Sequence, residues 1–364
     1  TMWSSAIACL LVCMSVGLCS AQQQETLFLN EAAYDPIPSP DGKLVAFVLT
    51  GRKHFGGSGG FGRSNLRSQV GFADSDGSTS KDANVEGFLG EWLSDSSFVV
   101  SYRDWRFGLA GPGGSREGGS LPVHTDPYSG DAAERVAYLS SLKTFTWIER
   151  SGKNTVLQTA HGPIARFNGL LPLSALIVPS PDGRYLAVGG PAPYQWQDHS
   201  LWICDMKQKT WTNLGSFAIH PDPDWDYSSP SWNPWFSNGN RLTFFSGNGL
   251  YVVCADGTKK RRLLTADHAG LAVPSKDGRS IAYVTFTPRP WKTRPDLQFW
   301  GGSTIWIVAS SGGEPRQITS SSAEETYDLR WLRDASLIFD RVGQDDVYLF
   351  NVGARIWTVP VRAK

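Results

Sequence analysis

Arginines and aromatic rings recur together in the stretches that separate this chain's apolar runs. Arg103, Trp105 and Arg106 form one group, Tyr194, Trp196 and His199 a second, and Arg289, Trp291, Lys292, Arg294 and Trp300 a third. Planar rings stack on sugar or peptide surfaces, and an arginine fork grips a carboxylate through two parallel hydrogen bonds. The combination suits a pocket for an acidic glycan or a peptide terminus. The competing reading is that the rings pack their own loops and the arginines solvate them. A further stretch, His220-Pro221-Asp222-Pro223-Asp224-Trp225-Asp226, sets carboxylates at alternate positions and adds Asp224, Trp225 and Asp226 to the ligand-binding candidates. Such oxygens suit calcium, but the glycine and later bidentate glutamate of an EF-hand loop are missing, so no metal or other cofactor is assigned.

Catalytic constellations fail. Gly56-Gly57-Ser58-Gly59-Gly60 matches the letters of a nucleophile elbow, yet that motif needs a strand-turn-helix setting and here lies in a glycine-rich run. The six histidines are scattered, with no metal-ligand spacing among them. No catalytic residue is assigned. Residues drawn from separate repeats of a fold can still meet in space, which keeps an enzymatic alternative open.

Bulk properties narrow the class. Lys plus Arg and Asp plus Glu are both 34, giving zero formal charge and no basic stripe for phosphates, so a nucleic-acid partner is excluded. The one basic run, Lys259-Lys260-Arg261-Arg262, reads as a solvated outer strand. Residues 1–21 read as a secretory signal peptide: Met2 as initiator, an apolar stretch from Ala6 to Leu18, and small residues at Cys19-Ser20-Ala21. Export to the periplasm or beyond follows, with no membrane span once the leader is removed. Cys204 and Cys254 then remain, at similar points of successive repeats and too far apart for a bridge.

The elements that must hold these residues are announced by repetition. Pro38-Ser39-Pro40-Asp41-Gly42-Lys43, Pro179-Ser180-Pro181-Asp182-Gly183-Arg184 and Pro274-Ser275-Lys276-Asp277-Gly278-Arg279 are nearly the same turn. Each precedes a short apolar run, such as Tyr185-Leu186-Ala187-Val188. Degenerate copies begin at Trp92, Trp232 and Trp331. Asp-Gly supplies the positive φ of a tight hairpin. Unbroken apolar runs of this length predict strands covered on both faces. A third strand follows with an aromatic near its start (Leu201-Trp202-Ile203, Ile305-Trp306-Ile307, Ile356-Trp357-Thr358), then a polar fourth. Four strands per unit of about 40–60 residues is the pattern of propeller blades.

The Ser-Pro-Asp-Gly turn, the aliphatic-aromatic strand, the Leu/Ile-Trp/Tyr-Ile/Val strand and the closing Gln317-Ile318-Thr319 resemble the repeat of TolB-type propellers, also found in prolyl oligopeptidase propellers. The resemblance implies an all-β, six-bladed propeller of four-stranded antiparallel blades. The expected blades are 31–83, 84–159, 160–215, 216–265, 266–319 and 320–364, the last closed by a strand at 26–30. The varied connections opposite the turns, at 51–66, 105–137, 189–200, 286–303 and 342–354, are then the binding face. The expected function is non-catalytic binding of a protein partner, glycan or peptide. The alternatives are a sugar-active lyase or hydrolase, or an orphan propeller of a prolyl oligopeptidase-type peptidase.

Overall fold

The computed structural model describes residues 23–50, 68–86, 88–101, 106–120, 136–171, 176–192, 195–221, 232–290, 298–332, 335–343 and 354–361. The proposed leader at 1–21 and the Gly56–Gly60 run lie outside them. The chain folds as a β-propeller with seven blades, one more than the repeat pattern predicts. Strand order within each blade follows the chain from the inner strand outward, except for the outer strand of the last blade.

The extra blade lies in 84–167, where two sheets stand in place of the one expected at 84–159. Blade 2 runs through Phe88–Ser94, Ser97–Ser101, Arg106–Gly111 and Gly114–Ser120, and blade 3 through Val136–Leu139, Thr144–Ser151, Asn154–Thr159 and Gly162–Phe167. Two local features conceal the division. The outer hairpin of blade 2 is glycine-rich and short of apolar residues, so it reads as loop. Blade 3 turns without Asp-Gly: the Leu142 amide bonds the Leu139 carbonyl, and Lys143 takes the positive φ of 50° that glycine supplies elsewhere. Within the expected long connection at 105–137, residues 106–111 and 114–120 are therefore strands. The one at 189–200 is likewise strand, since Tyr185–Ala192 pairs with Gln195–Asp205 as far as Ala192 and Gln195.

Blade 1 comprises Ala33–Pro38, Leu44–Thr50, Ser68–Asp74 and Ser80–Glu86; blade 4 comprises Leu176–Pro179, Tyr185–Ala192, Gln195–Asp205 and Thr210–Ser216. In blade 5 two isolated bridges, Trp235 with Leu242 and Ala218 with Phe245, stand in place of an inner strand beside Arg241–Ser246, Gly249–Cys254 and Arg261–Thr265. Blade 6 is Ala269–Pro274, Ser280–Thr285, Thr304–Ala309 and Arg316–Gln317. Blade 7 is Glu325–Trp331, Ser336–Val342 and Arg355–Pro360, with Thr26–Leu27 as its outer strand. Thr26 pairs with Thr358 and Leu27 with Trp357, so opposite ends of the chain share a sheet and join blade 7 to blade 1. Phe28 and Leu29 then turn inward onto Ala33, Phe47, Ile338 and Ile356.

The turn motif recurs because its side chains complete a fixed set of bonds. The Ser39, Ser180 and Ser275 hydroxyls donate to Asp41, Asp182 and Asp277 at 2.8, 2.6 and 2.6 Å. The same hydroxyls accept the Leu44, Tyr185 and Ser280 amides. Each turn glycine has φ near +70° (71°, 67° and 69°) and donates its amide back to the serine carbonyl. The Lys43 amide and Ser39 hydroxyl hold the Asp41 carboxylate at a pKa of about 2. Ser180→Ala removes a buried partner from both Tyr185 and Asp182. It is expected to cost about 1–2 kcal/mol in urea unfolding, whereas Ser180→Thr should retain most of that.

Tryptophans tie the blades into a ring. Trp92 donates its indole N–H to the Ile37 carbonyl, Trp235 to Val178 and Trp331 to Val273, at 2.9, 2.9 and 3.0 Å. In each case the acceptor precedes the proline of the neighbouring blade's turn. Trp232 reaches the Ala272 carbonyl at 3.0 Å. The Lys259–Arg262 run is likewise used between blades. Lys260 reaches the Leu214 carbonyl, and Arg261 the carbonyls of Ser310 and Ser311. Cys204 and Cys254 are free thiols, and burial pushes that of Cys204 up to about 12.

Candidate functional site

Each inner strand runs toward the first turn of its blade, the Asp-Gly turn in blades 1, 4 and 6, so its first residue marks the opposite face. Glu325 opens the inner strand of blade 7, His268 precedes that of blade 6, and His220 follows the short bridge at Ala218 in blade 5. Phe286 leaves the second strand of blade 6 and Trp300 leads toward its third. These residues therefore meet at one end of blades 5 to 7.

At the centre, His220 Nε2 lies 3.0 Å from Glu325 Oε1, with side-chain exposures of 0% and 4%. The imidazole is walled edge-on by Phe286 (4.5 Å between centroids) and Trp300 (6.2 Å). His268, exposed, tilts against the outer side of Trp300 at 5.2 Å, and its carbonyl accepts the Phe286 amide. Polar groups continue beneath: the Ser303 hydroxyl bonds the Glu324 carbonyl and meets the Thr326 hydroxyl at 2.9 Å. The buried carboxylate and imidazole thus lie within ion-pair distance of each other.

A small ribbon stands beside this cluster, in which Arg289 pairs with Phe299 and Pro290 with Gln298. Arg289 is exposed and folds toward Gly302, whose φ is +67°. A methyl at Gly302 would lie 3.4 Å from Arg289 Nη2 and 2.8 Å from Thr287 Cβ. Glycine thus leaves the guanidinium room to lie close to the backbone.

Three of the sequence-derived candidates are described in full. Trp300 belongs to this cluster, and Arg289 to the ribbon, where it pairs with Phe299. His199 is buried in the third strand of blade 4, opposite Pro191, where its carbonyl accepts the Phe217 amide. Trp196 lies on the same strand as His199. Arg103, Trp105, Tyr194, Asp224, Trp225, Asp226 and Trp291 lie outside the described residues, as do the connections at 51–66 and 344–353. Residue type and spacing alone do not mark Glu325, Phe286 or His268, and His220 reads only as the opening of an acidic loop. The signal available was position: each stands next to a blade's first strand or at the mouth of a long connection.

Among the described residues, no three His, Cys, Asp or Glu side chains form a metal-holding group. Among them also, no helix is long and apolar enough to cross a membrane.

No family model matches the chain, and no curated protein matches it. Solved structures do resemble it. An oligogalacturonate lyase from Vibrio parahaemolyticus is similar over 94% of this chain and 95% of its own, at TM-score 0.59 and 8% identity. Pyrococcus horikoshii acylaminoacyl peptidase is similar over 85% of this chain and 49% of its own, at TM-score 0.50 and 10% identity. A putative TolB from Agrobacterium tumefaciens is similar over 82% of this chain and 99% of its own, at TM-score 0.42 and 10% identity. At such identities the likeness is one of fold: an all-β propeller of antiparallel blades, shared with peptidase and lyase propellers alike.

Proposed function

We propose that this chain is an exported binding propeller that takes a carboxylate-bearing ligand, an acidic glycan or a peptide terminus, on the face opposite its Asp-Gly turns. One observation carries the reading. Arg289 and His268 stand exposed on that face with no ion pair among the described residues, beside an aromatic wall braced by His220 and Glu325. An exposed guanidinium next to rigid aromatics is suited to a planar anion. Binding is favoured over turnover because the acid–base pair at the cluster's centre is sealed from solvent, and a general base must reach the proton it moves. Its role is to position Trp300 and Phe286.

The second reading, a lyase acting on an acidic sugar, draws on the name of the Vibrio neighbour and on the same exposed arginine. One experiment separates the two. Titration calorimetry with trigalacturonate and with a short peptide bearing a free carboxyl terminus should give saturable binding to one of them. Arg289→Ala is expected to weaken it by about 1.5–3 kcal/mol, tenfold or more. The amidated peptide and neutral galactose oligomers should not bind. Ultraviolet absorbance of an unsaturated product would install the lyase reading instead. Absence of binding by every carboxylated probe would sink the proposal.

A further inference from the structure

The sequence holds three Asn-Gly pairs, Asn168-Gly169, Asn238-Gly239 and Asn248-Gly249, and all three asparagines are exposed. An asparagine ahead of glycine is open to attack by the next backbone nitrogen, because glycine has no side chain to obstruct the approach. The fold restrains two of the pairs. Gly239 is buried and donates its amide to the Phe236 carbonyl at 2.8 Å, while the Asn238 side-chain oxygen accepts the Asn240 amide at 3.3 Å. Asn248 is held at both ends, donating from Nδ2 to Asp267 at 3.1 Å and accepting at Oδ1 from Arg262 at 3.0 Å. Its glycine is buried in the ladder opposite Ser246 and Thr265. The five Asp-Gly pairs are fixed in the same manner: the amides of Gly42, Gly77, Gly183, Gly257 and Gly278 each donate to the carbonyl three residues back.

Asn168-Gly169 differs on each count. It follows Gly162–Phe167, the outer strand of blade 3, and leads toward blade 4. Among the described residues, neither the Asn168 side chain nor the Gly169 amide makes a hydrogen bond. The flanks, by contrast, are tied down. Phe167 meets Trp202 and Trp211 of blade 4 edge-on, at 4.6 and 5.5 Å between centroids. The buried Thr155 hydroxyl donates to the Gly169 carbonyl at 3.0 Å and accepts the Leu171 amide at 2.8 Å. Leu171 is itself part of the core shared by blades 3 and 4. An unrestrained Asn-Gly bond thus sits between two anchors of one blade seam.

We propose that Asn168 is a modification site, at which the folded chain deamidates to isoaspartate and loosens the seam between blades 3 and 4. The Gly169 nitrogen gives its proton to hydroxide and bonds to Asn168 Cγ. The Cγ–Nδ2 bond breaks, and ammonia leaves with a proton from water. Water then opens the resulting succinimide at either carbonyl. Opening at Cγ yields aspartate; opening at the backbone carbonyl yields isoaspartate, whose main chain runs through Cβ and Cγ and is longer by one methylene. Either product adds a carboxylate. Only isoaspartate lengthens the single residue between Phe167 and the Gly169 carbonyl, so one of the two anchors must shift to accommodate it.

Peptide mass mapping of the full chain, aged in mildly alkaline buffer with and without urea, tests the chemistry. In urea the three asparagines should convert at similar rates. In the folded protein Asn238 and Asn248 should slow by about tenfold or more, since each must wait for a local opening, whereas Asn168 should stay within about threefold of its unfolded rate. Asn168→Gln, whose longer side chain closes a ring far more slowly, should show no mass gain at that peptide. Hydrogen exchange tests the consequence: Gly162–Phe167 should lose protection about threefold or more in the aged protein, while Arg241–Ser246 in blade 5 holds steady. The aged Asn168→Gln variant should keep its protection throughout. Folding that slows Asn168 as much as the other two overturns the site. A seam equally protected before and after conversion, or equally weakened in Asn168→Gln, overturns the loosening.

Discussion

Arg341→Met is expected to destabilise the propeller by about 3 kcal/mol and to free the segment ahead of Thr26 for proteolysis. The Arg341 guanidinium meets the Glu25 carboxylate through both terminal nitrogens, Nη2 to Oε1 at 3.0 Å and Nη1 to Oε2. The two side chains are 6% and 15% exposed. The strand this pair secures has only two ladder residues, both exposed, and ring closure at the outer radius depends on them. Truncating the arginine strands a largely buried carboxylate. Breaking a buried pair typically costs about 3–5 kcal/mol, and the partial exposure of Glu25 places this case at the lower end. The Met side chain keeps contact with Phe339, whose ring centroid lies 5.0 Å from the guanidinium carbon, so the loss reports on charge more than on packing.

The double variant Arg341→Met with Glu25→Leu makes that attribution testable. Removing both charges removes the stranded carboxylate, and Arg341 Nε, buried without a partner among the described residues, ceases to be a cost. Most of the stability should return, read as the urea midpoint at unchanged slope. If the double variant is as unstable as the single one, the pair is incidental to closure.

What the sequence made visible was local. The Ser-Pro-Asp-Gly turns are legible because their bonds all form within a few residues, from Ser39 to Leu44 or Ser180 to Tyr185. Runs such as Leu242–Phe245 are legible because strands buried on both faces tolerate no polar alternation. Blade 3 was hidden because Lys143 does the conformational work of glycine there, and blade 2 because glycines fill its outer hairpin. The site was half legible. Arg289 and Trp300 are marked by residue type in a long connection. His220 and Glu325 come from blades 5 and 7 and still meet at 3.0 Å, which no sequence spacing encodes. Trp92, Trp235 and Trp331 act as donors to carbonyls of the neighbouring blade, whose identity leaves no mark in sequence.

Gly270→Ala should cost about 3 kcal/mol of stability and disable the long-connection face along with it. A methyl there would stand 1.9 Å from the Ile219 carbonyl oxygen, 2.8 Å from its carbon and 3.3 Å from His220 Cα. These are backbone atoms, so no rotamer change relieves the overlap. The same carbonyl accepts the Leu271 amide at 2.9 Å, and Leu271 is already held at a φ of 52°, so the inner strand of blade 6 has little freedom to retreat. The strain must then move the Ile219–His220 segment outward. That movement carries His220 away from Glu325 and loosens the support of Phe286 and Trp300. Gly113→Ala in the outer hairpin of blade 2 is the control, since nothing lies within 4 Å of its added carbon. It should change stability by no more than about 0.5 kcal/mol. Urea titration of the two variants separates close backbone approach from the general cost of losing a glycine. Equal midpoints would mean that blade 6 can open at its bulge without strain, and that His220 is not aimed by the contact at Gly270.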